Sequence, residues 1–138
     1  MVNIMMGPEG SGKTKLLLEA INSALSKESG SMVCIEKGQT LRYDVDHRVR
    51  LIDAAEYSID SYELLRGFIS GLHAGNFDIS HIFIDNLFKL SRNKDALATE
   101  RFLDWCSVFS AENSVSFTLT VSGEAADAPD YIQRYMDD

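Results

Sequence analysis

At 138 residues the chain has room for one domain with a real apolar core and no room for two. Its composition, 45% hydrophobic and 25% charged with two prolines and no low-complexity stretch, excludes a disordered or fibrous protein. The net charge of −8 repels nucleic-acid backbones and anionic membranes at long range. No apolar run approaches the ~18 residues of a membrane span and no basic-then-apolar leader is present, so the expectation is a cytoplasmic protein.

Val2 to Met6 is a short apolar run that stops at Gly7-Pro8. Helical spacing follows from Lys13 to about Lys27, through Leu16, Leu17, Ala20, Ile21 and Leu25, so the start reads strand, glycine turn, helix. Met32 to Ile35 and Arg48 to Ala54 are two further candidate strands, with a loop or hairpin between them. Asp60 is the expected cap of the next helix, with Glu63 as its capping-box partner and Tyr62, Leu65, Phe68, Ile69 and Leu72 as its apolar face. That helix ends at Gly75-Asn76. Ile82-Phe83-Ile84 reads as a strand buried on both faces and closed by Asp85. Asp95 to Glu112 is a helix with Ala98, Phe102, Trp105, Cys106 and Phe109 on one side; Val115 to Val121 is the last strand, and Tyr131 to Met136 a terminal helical turn or two. Strands alternating with helices predict an α/β fold with a mostly parallel sheet of about five strands covered on both faces. No internal repeat or linker divides the chain.

Two segments carry chemistry. Gly7-Pro8-Glu9-Gly10-Ser11-Gly12-Lys13-Thr14 fits G-x-x-x-x-G-K-[ST] without departure. In such a loop the glycines let backbone N–H groups turn inward around the β- and γ-phosphates of a nucleotide, and the following helix adds its positive end. Lys13 supplies a mobile cation to the same oxygens, and the Thr14 hydroxyl is a ligand for Mg²⁺. Asp85, about seventy residues on at the end of an apolar strand, has the Walker B pattern and is expected to hold the ion through water. The partners implied are a nucleoside triphosphate and Mg²⁺.

Together these residues resemble the RecA-like ATPases among the P-loop NTPases. The loop Gly-Pro-Glu-x-Ser-Gly-Lys-Thr is similar, as is the order that follows: a strand ending in an acid (Glu36), another strand, a helix, and a strand leading into Asp85-Asn86-Leu87. The resemblance implies a three-layer fold with a RecA-like core, ATP as the nucleotide and Mg-dependent hydrolysis. It assigns Glu36 the polarising of the attacking water, and puts Thr120 or Ser122 at the γ-phosphate sensor position of the last strand. The chain departs from the family in lacking a polymerising amino-terminal segment, a long DNA-binding loop and a sensor glutamine, so recombination is not implied.

Two other readings stay open: a small-molecule or nucleoside kinase, and a non-hydrolysing ATP-binding regulatory module with a protein partner. Arg92, Lys94 and Arg101 are the cations a kinase lid would draw on, or else a solvated helix entrance. Cys34 and Cys106 lack metal-ligand spacing and read as reduced, buried thiols; His47, His73 and His81 show no mutual metal spacing, and Trp105 reads as core. No guanine-reading Asn-Lys-x-Asp is present.

Overall fold

Five short apolar runs become strands in the computed structural model, which describes residues 1–136: β1 (Val2–Gly7), β2 (Ser31–Glu36), β3 (Val49–Asp53), β4 (Ile79–Ile84) and β5 (Ser116–Ser122). Every pairing is parallel and the strand order is β1-β5-β4-β2-β3. Parallel strands need crossovers, and three of the four are the helices α1 (Lys13–Lys27), α2 (Tyr62–Gly75) and α3 (Ala96–Asn113), while β2 passes to β3 through a loop. A short helix α4 (Asp130–Gln133) follows, and Met136 then bridges to Ile4 along the outer edge of β1.

The strands are apolar at consecutive positions because both faces are covered. Val33, Ile35, Ile82 and Ile84 join one core with Leu65 and Ile69 of α2 and Phe102, Leu103 and Cys106 of α3. Met32, Cys34 and Phe83 point the other way, onto Leu17, Ile21 and Ala24 of α1. The result is an α/β fold in three layers. Cys34 and Cys106 are free and buried, and burial raises both thiols far above their ordinary range. Among the described residues no helix is long and apolar enough to cross a membrane.

Three local expectations shift. Ser61, not Asp60, caps α2, its side chain accepting from the Leu64 N–H at 3.1 Å. Asp60 is drawn away instead by Arg92, whose Nε lies 3.0 Å from its carboxylate and whose backbone N–H donates to its carbonyl. Leu16 is half exposed, since the buried stripe of α1 runs through Leu17, Ile21 and Ala24. The segment between β2 and β3 is a loop, tethered by Leu41, which is buried beside Val49 in the α1 core.

His81 fastens β4 to its surroundings. Its ring lies between the Glu28 carboxylate at 2.9 Å and the Thr118 hydroxyl at 2.8 Å, and stacks on Phe83 with centroids 4.1 Å apart. Burial lowers its pKa below the ordinary value, against the opposing pull of the Glu28 hydrogen bond and charge. The folded state therefore takes up this proton later than the unfolded chain does, and the contribution is present above the unfolded pKa of ~6.5 and lost as pH falls through it. Urea unfolding between pH 7.5 and 5.5 is expected to show stability decreasing toward acid, with a shallower decrease in His81→Gln. An equal slope in both proteins would contradict this assignment.

Candidate functional site

All five strands point the same way, so their carboxyl ends share one edge of the sheet, where open α/β folds hold their ligands. β1 ends in Gly7 and turns through Pro8 to Gly12 into α1. Gly10 and Gly12 have φ of +77° and +90°, and a Cβ at either would meet only open space, so it is the backbone conformation rather than crowding that demands glycine there. Gly12 stands at the N-cap of α1. Unlike α2 and α3, which Ser61 and Asp95 cap, α1 has no side-chain cap and no acidic residue in its first turn. Its leading N–H groups and positive dipole end thus face the loop without a capping side chain.

Beside this turn lies a cavity of about 410 Å³ lined by Glu9, Gly10, Gly12, Lys13, Thr14, Thr40, Asp85, Asn86 and Lys89. It gathers most of the residues expected from sequence: the loop, the lysine, the threonine and the aspartate. Gly7, Pro8 and Ser11 shape the turn without lining the cavity, and Ser11 N–H donates to the Pro8 carbonyl at 3.1 Å. Lys13 is only 7% exposed and, among the described residues, forms no salt bridge.

Asp85 is held from behind. The Thr120 hydroxyl donates to its Oδ1 at 2.7 Å and accepts from the Asn86 backbone N–H at 2.7 Å, while the Asp85 N–H donates to the Ile35 carbonyl at 2.9 Å. Thr120 is fully buried. It therefore positions the aspartate and does not reach a phosphate, which corrects its expected place as a sensor. Ser122 does not line the cavity either, but it stands at its border: it pairs in register with Gly7, and its hydroxyl lies 3.2 Å from both the Glu9 carboxylate and the Asn86 side-chain oxygen, two residues that do line it.

Glu36 is also placed differently from expectation. It is 2% exposed and does not line the cavity; Oε1 accepts from the Thr40 hydroxyl at 2.6 Å and Oε2 from the Leu41 N–H at 3.0 Å. The expected direct contact with an attacking water is not the geometry found: Glu36 stands behind Thr40, and it is Thr40 that lines the cavity. Thr40, Asn86 and Lys89 are the cavity residues that sequence reading did not assign to the site; Asn86 follows Asp85 directly, whereas Thr40 and Lys89 lie in no recognisable spacing. The expected cation cluster divides: Arg92 and Lys94 lie together, whereas Arg101 lines a separate cavity with Glu63 and Arg66.

Among the described residues no group of three His, Cys, Asp or Glu could hold a metal. Of the oxygen donors lining the cavity, the Thr14 hydroxyl and the Asp85 carboxylate are the pair expected from sequence, and so small a set suits an ion that takes its remaining oxygens from phosphate and water, as Mg²⁺ does. No family model matches the chain, and neither does any curated protein.

Thr120→Val keeps the shape but leaves the Asp85 carboxylate and the Asn86 N–H short of a partner. A loss of about 1–3 kcal/mol is expected in urea unfolding, with Thr120→Ser restoring most of it. A silent Thr120→Val would remove the positioning role.

Proposed function

We propose that the chain is a Mg²⁺-dependent nucleoside-triphosphate-binding protein with a RecA-like P-loop core, taking ATP and hydrolysing it. The observation that carries the reading is Lys13, whose side chain is largely covered yet lines the cavity beside an uncapped helix start, with no salt-bridge partner among the described residues. An ammonium on the cavity wall without a carboxylate partner is free to form charge-assisted hydrogen bonds to an incoming phosphate group. Two positive sources, the lysine and the helix end, then converge on one anion.

Thr14 and Asp85 would hold the magnesium, which when bound neutralises charge on the phosphate oxygens. The position of β5 between β1 and β4 supports the sensor assignment of Ser122, because it sets that residue beside the loop and close to Asn86. Thr40 gives its proton to Glu36, so the Thr40 oxygen offers lone pairs toward the cavity. A water hydrogen-bonded there feels the Glu36 charge through the hydroxyl, which makes Glu36 a positioning residue acting through Thr40.

A second reading, a nucleotide-binding regulatory module without turnover, is favoured by the same pair: both Glu36 oxygens are engaged by the protein itself. The two readings share the binding site and part only at hydrolysis.

Titration with a fluorescent ATP analogue and Mg²⁺ tests what they share. Lys13→Ala is expected to weaken binding by the equivalent of roughly 1.5–3 kcal/mol, about ten- to a hundredfold, without unfolding the chain. Equal affinity in variant and wild type would overturn the nucleotide reading. Phosphate release then divides the two: turnover that drops in both Glu36→Gln and Thr40→Val, with binding kept, supports hydrolysis, and a wild type that binds without turnover supports the regulatory module.

A further inference from the structure

The path of the chain across the sheet reverses between β2 and β4. From β2 it moves outward to β3, and from β4 it moves the other way to β5. In open parallel sheets the crevice outside the carboxyl ends at such a reversal is the natural ligand site. A cavity of about 660 Å³ lies there, distinct from the phosphate loop, and its walls come from both sides of the reversal: Lys37 just after β2, and Lys89, Arg92 and Lys94 after β4.

Its charge is opposite to that of the whole chain. The net charge is −8, yet four cations and one carboxylate, Asp60, line this cavity. Arg92 satisfies Asp60 at 3.0 Å, and among the described residues no carboxylate lies within 4.0 Å of the ammonium groups of Lys37, Lys89 or Lys94. Three uncompensated like charges around one concavity repel one another, and a bound anion relieves that repulsion. Arg92 is tied to Asp60 through both its side chain and its backbone N–H, which anchors the segment that carries Lys94. Lys89 lines this cavity and the phosphate-loop cavity alike, so the two adjoin at that residue.

We propose that this crevice binds a second ligand, a small molecule bearing two or more phosphate charges, beside the nucleotide. The pairing with a nucleotide rests on the function proposed above; the anion site itself does not. A small ligand is favoured over a nucleic-acid strand because the cations ring one concavity rather than forming a stripe, and the −8 charge elsewhere repels an extended phosphate backbone. Held there, the anion lies up against Lys89, the residue this crevice shares with the phosphate-loop cavity.

Calorimetric titration of inorganic pyrophosphate into the protein saturated with Mg²⁺ and a fluorescent, non-hydrolysable ATP analogue tests this. Pyrophosphate is expected to bind without displacing the analogue. Lys37→Ala/Lys94→Ala is expected to weaken that binding ~10-fold or more while leaving analogue affinity unchanged, since both lysines are exposed and neither lines the phosphate-loop cavity. Absence of pyrophosphate binding, binding only by displacement of the analogue, or binding indifferent to the two lysines would overturn the proposal. A ten-residue oligothymidylate bound through the same lysines more tightly than pyrophosphate would overturn it in favour of a nucleic-acid strand. If the analogue fails to bind while lysine-dependent pyrophosphate binding persists, the anion site stands and the nucleotide reading falls.

Discussion

The parallel direction of all five strands is the constraint from which the candidate site follows. Because β1, β5, β4 and β2 end on the same edge, the turn after Gly7, the Ser122 hydroxyl, the Asp85 carboxylate and the Glu36–Thr40 pair are neighbours although the chain separates them widely. A single antiparallel strand in the middle of the sheet would send one of these groups to the opposite edge. The apolar residues that fill both faces of the sheet thus do more than stabilise it, since they fix which strand ends lie side by side.

Electrostatics at that edge is unevenly distributed. On one side Lys13 and the start of α1 present positive potential, with no carboxylate among the described residues paired to the lysine; on the other Asp85 and Glu36 are buried carboxylates, each held by hydroxyl or backbone donors. Their negative charges reach far enough to add to burial in raising the Cys34 thiol on β2. Buried carboxylates held by neutral donors keep defined positions without a cation to cancel their charge. An arrangement of separated, rigid, opposite charges is suited to a ligand that carries both signs, such as a phosphate group with its divalent ion.

Sequence and structure agree best where the information is local. The pattern over residues 7–14 is a contiguous stretch, and Gly10 and Gly12 are required by the dihedral angles of that stretch alone, so the strand, turn and helix start could be read directly. The helices showed themselves by their apolar spacing, with ends correct to within a residue or two for α1 and α3. What could not be read depends on neighbours distant in the chain. Asp60 and Ser61 are both competent caps, and the choice between them is settled by Arg92, more than thirty residues away. Thr120 and Ser122 lie on the same face of β5, but only one is overlaid by Asp85. Glu36 ends its strand as expected, while the loop that folds back over its carboxylate has no regular pattern and gave no sign of Thr40. Lys89 and Lys37 come together only through the reversal of strand order between β2 and β4.

The central claim is that the turn between β1 and α1 is a receptor for nucleotide phosphates, with magnesium held on the Asp85 side. Amide chemical shifts measure this most directly, because the backbone N–H groups of the turn are themselves the proposed ligands. Addition of ATP with Mg²⁺ is predicted to move the resonances of Gly10, Gly12, Lys13 and Thr14 strongly, and Mg²⁺ alone to leave them in place. Unmoved resonances in this turn at millimolar MgATP, or shifts confined to another part of the chain, would contradict the account.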